Sequence, residues 1–306
     1  MRGKRMTVLR LILFVVLASV PLWVMTECLN ARYDGYFWLN APAGVLTLTG
    51  LVGMFFPTFA ALLTRLLTRE GFGNTFVSFR LKGKIRYYLA AVLMPVAEAV
   101  LGALLMIFVY LKGYSFDTLF ADTKWNVILP MLLIGVASNI YLFIHAFGEE
   151  FGWRGYMMPK LAELMPMPAA ILVGGIIWGL WHAPLTIAGH NFGIDYPGYP
   201  WKGILCMCLC CVLMNAFLTI LTVRTGSVFP AAVCHSVQNG LGAQALLSLC
   251  ICEEAALKAE QATTGKLPWI LCAASAIIVG MFLLSHRVSH CHIFGNHLSG
   301  DTGQEV

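Results

Sequence analysis

Residues 203–223, GILCMCLCCVLMNAFLTILTV, run from just after Lys202 to just before Arg224 without one Asp, Glu, Lys or Arg. About 20 apolar residues, rising 1.5 Å each in a helix, cross the ~30 Å hydrocarbon core of a bilayer. This stretch therefore reads as a membrane span. Similar runs lie outward from it at approximately 8–25, 43–64, 88–111, 127–147, 168–189, 228–250 and 267–285. The bulk composition agrees. Hydrophobic residues make up 59% and charged residues 11% of the 306, with mean hydropathy +0.77, whereas a soluble domain carries about 25% charge. Backbone groups in lipid must find partners within the protein, which leaves helices or a closed barrel. These runs are far longer than the ~10 residues of a barrel strand and lack its alternation. The expected fold is all-α, a polytopic transmembrane helix bundle of about eight spans.

Charge placement orients the bundle. Arg2, Lys4, Arg5 and Arg10 precede or open the first run, and Arg65, Arg69, Arg80, Lys82, Lys84 and Arg86 fall between the second and third. Arg154 and Lys160 follow the fourth, Arg224 the sixth and Arg287 the eighth. The alternate loops hold Glu27, Asp34, Asp117, Asp122, Asp195, Glu253, Glu254 and Glu260 with few basic residues. Basic residues mark the cytoplasmic side, so both termini are expected there. The first run is long for a signal-peptide core and is followed by no small-x-small cleavage site, so it reads as a retained anchor. The net charge of +5 comes without the basic, aromatic-laced blocks of a nucleic-acid binder; the lipid bilayer is the expected partner, in the cell membrane.

The chain divides into 1–126, N-terminal helices with about three spans; 127–250, a core that carries the chemistry below; and 251–306, a last span and a cytoplasmic tail. The tail, with His290, His292 and His297, reads as short and solvated, and the chain does not end in a C-a-a-X prenylation signal. Most of the ten cysteines lie inside apolar runs, as small hydrophobes do. Cys28, Cys250 and Cys252 fall near one expected face, where an oxidising compartment would let them pair.

An ionisable side chain at membrane depth costs about 2.5–3.5 kcal/mol even on the lenient insertion scale. Such residues gather in three clusters. The first is Glu149-Glu150-Phe151-Gly152-Trp153-Arg154. On a continuing helix Glu150 and Arg154, four apart, face each other with the acid first, while Glu149 points about 100° away. One glutamate is held by the arginine and the other is left to act. The second cluster is Trp178-Gly179-Leu180-Trp181-His182-Ala183-Pro184; the third is His235-Ser236-Val237-Gln238-Asn239, with His235 and Asn239 one turn apart. Each has an ordinary structural reading: an interfacial ion pair, a hydrogen-bonded core histidine, interhelical hydrogen bonds. Together they describe acyl hydrolysis without a serine or cysteine nucleophile. A carboxylate and an imidazole bind and deprotonate a water, and a His/Asn pair supplies donors to the oxyanion.

EExxxR, then a large aromatic with x-x-x-His, then HxxxN, each in its own membrane segment, resembles the CPBP intramembrane proteases. These are the type II CAAX prenyl endopeptidases and bacteriocin-processing enzymes, also called the Abi family. The resemblance covers roughly 140–245. It implies a membrane-embedded endopeptidase in which Glu149 and His182 activate the water and His235 and Asn239 hold the oxyanion, with Glu150 and Arg154 in support. Trp178 stands where the family usually has Phe; repacking around a retained bulky ring is the expectation. Some accounts of the family invoke a metal, and Glu149, His182 and His235 are a set that could hold Zn²⁺; metal-free water activation stays open beside it. The implied partner is a peptide or protein substrate, prenylated or a leader peptide.

His145 shares the helical face of Glu149 and is given a supporting role, while His190 is expected to be solvated near the far interface. One tension remains in these spans. Glu149 lies at the end of its run and His182 about fourteen residues into the next, roughly 21 Å deep. They meet only if the fourth helix runs on or the fifth begins outside the lipid after Pro166 and Pro168. Competing classes are a non-catalytic immunity or scaffold protein, which has no need of all four site residues, and a transporter, whose related halves are not seen. There is no His-Glu-x-x-His of a zinc protease.

Overall fold

The computed structural model describes residues 2–73, 75–120, 126, 130, 142–241, 250–263 and 269–285, and these contain helices and no strand. In order they form α1 (Arg2–Arg32), α2 (Phe37–Asn40), α3 (Ala43–Leu67), α4 (Ile85–Tyr110), α5 (Phe116–Phe120), α6 (142–152) and α7 (Met158–Leu164). There follow α8 (Met167–Trp181), α9 (Ala183–Ile187), α10 (Trp201–Thr225), α11 (Phe229–Gly240), α12 (Glu253–Thr263) and α13 (Trp269–Ser285). Among the described residues four helices are long and apolar enough to cross a membrane: Gly3–Arg32, Ala43–Leu67, Ile85–Tyr110 and Trp201–Thr225.

The sequence runs fall on these helices, with shifted ends. Runs 8–25, 43–64 and 203–223 lie within α1, α3 and α10, and 88–111 falls on α4. Run 168–189 becomes α8 and α9 with a break at His182, and the last run is the 17-residue α13. Run 228–250 yields the 12-residue α11, and 242–249 lie outside the described residues, as do most of 127–147 and the histidine tail. The fourth helix does not stop at 147. It continues through a π turn, Trp153–Met157, into α7 and ends at Leu164. Cys28 and Cys252 are free thiols.

Helix α10 is the central element: 67% of its apolar window is buried inside the protein, against 22% for α1. Its neighbour α8 approaches unusually closely because Gly175 and Gly179 lie one turn apart on the shared face. A Cβ at either would run into the backbone of Val212 or Cys208. Small residues at this spacing let membrane helices meet backbone to backbone, where dispersion supplies the attraction that water would otherwise provide. The same device seats α6 on α3. A Cβ on Gly152 would strike Pro57, one on Gly148 would meet Met54 and Phe55, and Thr58 Oγ1 donates to the Gly148 carbonyl.

At the end of the bundle richest in basic residues, Glu70 ties three helices together. It accepts from Lys160 Nζ at 2.6 Å and Tyr156 Oη at 2.9 Å, and pairs with Arg10 Nε at 3.4 Å. Lys160 and Thr7 both bond Glu163, at 3.0 and 2.8 Å, and Arg65 lies over the Tyr156 ring. Burial pushes the Glu70 carboxyl up, but the Lys160 and Tyr156 hydrogen bonds and the nearby cations outweigh it and hold it below the ordinary 4.5.

Candidate active site

Three elements converge. Helix α6 carries Glu149 and Glu150 through its last turns into the π turn, where the widened i→i+5 pattern places Arg154 inside the protein; such bulges recur at functional sites. Glu149, Glu150 and Arg154 are 2%, 0% and 1% exposed. Burial at that level demands partners, and each group has at least one, though among the described residues Glu150 Oε2 and Arg154 Nε and Nη2 have none. Arg154 Nη1 donates to Glu150 Oε1 at 2.8 Å, and the guanidinium lies 4.1 Å from the centre of the Trp178 ring. His235 Nδ1 sits 2.8 Å from the same Glu150 oxygen. Glu150 thus joins the first motif to the third.

Glu149 is held differently. Its Oε2 accepts the indole N–H of Trp153 at 3.1 Å and that of Trp178 at 2.8 Å. The split of the pair expected from the sequence is present: Glu150 goes to the arginine, and Glu149 faces a different set of neighbours.

His182 owes its position to a break in the chain. Proline at 184 cannot continue the hydrogen-bond ladder and crowds the carbonyl four residues back, so α8 ends at Trp181 and α9 starts at Ala183. The backbone N–H of His182 bonds Gly179 O at 3.1 Å, and its side-chain Nδ1 bonds Trp178 O at 2.9 Å. A carbonyl only accepts, so Nδ1 carries the proton and Nε2 presents a lone pair in the neutral ring. The same argument applies to His235, whose Nδ1 faces the Glu150 carboxylate. Its other nitrogen donates when the ring is the imidazolium that this carboxylate would stabilise. Helix α11 begins at Phe229, whose N–H is accepted by Ser227 Oγ at 3.2 Å, and it carries Asn239 one turn beyond His235.

Glu149, His182, His235 and Asn239 all line one cavity of about 570 Å³. Glu150 and Arg154 stand behind it, and Asn239 is the exposed member at its edge. The depth mismatch is resolved by α6 running on past 147 to meet the C-terminal end of α8. His145 is buried and is not among the cavity-lining residues. His190 departs from expectation: its ring packs against Trp38 at 4.1 Å, and it lines the cavity instead of standing in solvent.

Sequence reasoning missed three contributors. Trp153 and Trp178 are more than bulk, since both donate to Glu149. Glu98, within α4, is a further ionisable group at membrane depth, outside the three clusters; it is 5% exposed, lines the same cavity and accepts from Ser275 Oγ of α13. A single Glu inside the apolar run 88–111 was the signal for it.

For Zn²⁺, the expected donors were Glu149, His182 and His235. Among the described residues no group of three or more His, Cys, Asp or Glu side chains stands together as a metal site. Glu149, His182 and His235 are therefore not grouped here as the three protein ligands of a zinc site would be.

Comparison with known proteins bears on the same region. Residues 129–241 match the family model described as type II CAAX prenyl endopeptidase Rce1-like. A stretch of 115 residues, 37% of this chain, is 30% identical to CAAX prenyl protease 2 of Methanococcus maripaludis and covers 33% of that protein. The chain thus spans about a third of the length of the curated relative it matches. Residues 129–241 contain all three motifs.

Proposed function

We propose that the chain, whose residues 129–241 match the Rce1-like type II CAAX prenyl endopeptidase model, is a multi-pass membrane endopeptidase that uses Glu149 and His182 to activate water. The observation that carries this reading is the convergence of Glu149, His182, His235 and Asn239 on one cavity, with Glu149 Oε1 and His182 Nε2 free of the bonds that fix the other ends of those groups.

In this mechanism a water sits between Glu149 Oε1 and His182 Nε2, and the carboxylate takes its proton as the oxygen attacks the scissile carbonyl. The oxyanion that forms accepts from His235 Nε2–H and Asn239 Nδ2–H. Collapse breaks the C–N bond, and the proton held by Glu149 passes to the departing amine. Glu150, itself fixed by Arg154, holds His235 as an imidazolium through Nδ1, and neither Glu150 nor Arg154 touches substrate. The substrate class is a peptide presented at the membrane, and the family resemblance favours a prenylated one. Met207, Met214 and Leu185 give the cavity the apolar wall such a chain needs.

The test is cleavage of a fluorogenic prenylated peptide by the full chain purified in detergent. Glu149→Ala is expected to lower kcat by about 10²–10⁴-fold, the range for loss of a general base. Asn239→Ala is expected to lower it by about 10²–10³-fold, the cost of one oxyanion donor. A folded Glu149→Ala protein with wild-type activity would overturn the assignment and leave the polar clusters as helix-packing devices. The same assay with a strong chelator is expected to show unchanged activity; loss reversed by added Zn²⁺ would overturn the metal-independent route.

A further inference from the structure

One side chain touches a member of every motif. Trp178 donates its indole N–H to Glu149 Oε2 at 2.8 Å and holds the Arg154 guanidinium 4.1 Å from its ring centre. Its ring meets His235 in a T-shaped contact at 5.5 Å, and its backbone carbonyl orients His182 through the 2.9 Å bond to Nδ1. It is 4% exposed. We propose that Trp178 is the positioning residue of this site, fixing which oxygen of Glu149 faces the water and keeping that carboxylate from joining the Arg154–Glu150 pair. The proposal rests on the reading of Glu149 as the base and deepens it.

The chemistry of indole suits the task. A buried carboxylate beside a guanidinium and an imidazole is drawn toward both, and in a dry site that attraction is strong. Either pairing would withdraw Glu149 from the water. An indole N–H is donor only and does not ionise at any working pH. It therefore claims Oε2 without adding a charge and without exchanging a proton with the base. Trp153, one turn after Glu149 on the same helix, supplies a second such donor to the same oxygen. Meanwhile the Trp178 ring face engages the guanidinium by cation–π attraction, so one side chain keeps acid and cation each in its own place. A phenylalanine here would keep the face and lose the donor.

The experiment compares wild type, Trp178→Phe and Trp153→Phe as full chains in detergent, reading kcat, KM and the pH profile of kcat on a prenylated fluorogenic peptide. Trp178→Phe is expected to lower kcat about 10- to 100-fold, the scale for one hydrogen bond to a charged group, with KM little changed and the acidic limb of the profile displaced. The double variant should lose more than either single one. Replacing Trp178 with benzothienylalanine, which keeps the bicyclic shape and deletes only the N–H, should reproduce the Phe phenotype and decides the matter if the Phe variant does not fold. Wild-type kcat and pH profile in the benzothienylalanine protein would overturn the proposal. If Glu149→Ala is inactive in that comparison, only the role of Trp178 fails; if Glu149→Ala is active, the endopeptidase reading itself fails.

Discussion

At the scale of single residues, the site is built on a division of labour between two adjacent acids. Glu150 is locked between Arg154 and His235, each at 2.8 Å, with no exposed surface. Removing one partner of such a buried pair leaves an uncompensated charge, which costs about 3–5 kcal/mol, whereas removing both can be neutral. Arg154→Met is therefore expected to lower the melting temperature sharply in detergent. Glu150→Gln combined with Arg154→Met should recover much of that loss. If the double variant were no more stable than the single one, the coupling between the two residues would be refuted. The pairing of Glu150 with Arg154 was legible in the sequence because i,i+4 geometry is a local rule. The bond of Glu150 to His235 was not, because 85 residues separate them and no local rule reaches that far. The indole donors escaped for another reason: a Trp in an apolar run reads as volume, and its one polar atom shows itself only once the acceptor's position is known.

At the scale of elements, helix existence followed from hydropathy, and helix ends did not. Hydropathy changes at the acids Glu149 and Glu150, so a ruler of apolar length cuts the helix there. The backbone continues because Arg154, Trp153 and Trp178 supply the partners that water would have given. Gly175 and Gly179 look unremarkable as sequence, yet they set the distance from α8 to α10 and with it the placement of Trp178 and His182. Glu70 is the comparable joint for α1, α3 and α7. Its carboxyl sits below 4.5 in the folded protein, so ionised Glu70 stabilises the fold above the unfolded value. That contribution drains away as pH falls through the folded one. Glu70→Gln should melt earlier than wild type near pH 7, and the gap should close as pH falls below the ordinary 4.5 and through the lower folded-state value. A gap that stays constant into that acid range would mean the ionised carboxylate contributes nothing.

At the scale of the whole molecule, an apolar bundle encloses a cavity whose mostly apolar wall carries the polar groups of the three motifs, and among the described residues four helices have the length and composition to cross a bilayer. Basic residues cluster at the start of α1 and between α3 and α4, and charge of that sign stays cytoplasmic. Cys28, exposed near the far end of α1, should then react with a membrane-impermeant maleimide applied to intact cells, while a cysteine placed at Lys4 should not. The opposite labelling pattern would invert the topology. The cavity's location was legible from the three motifs; the part of its wall contributed by α1, α3 and α4 was not, since Leu22, Gly53 and Glu98 carry no motif of their own.

The late partners of Glu149 and Glu150 also bear on how the protein is made. These acids leave the ribosome with only their local partners, Trp153 and Arg154, beside them: Trp178 follows Glu149 by 29 positions, and His235 follows Glu150 by 85. Until α11 emerges Glu150 lacks one of its two partners, at a depth where an unsatisfied ionisable group is costly. The element that carries the acids is thus among the first of the site to be synthesised, and its full set of partners is complete only when the third motif has been made.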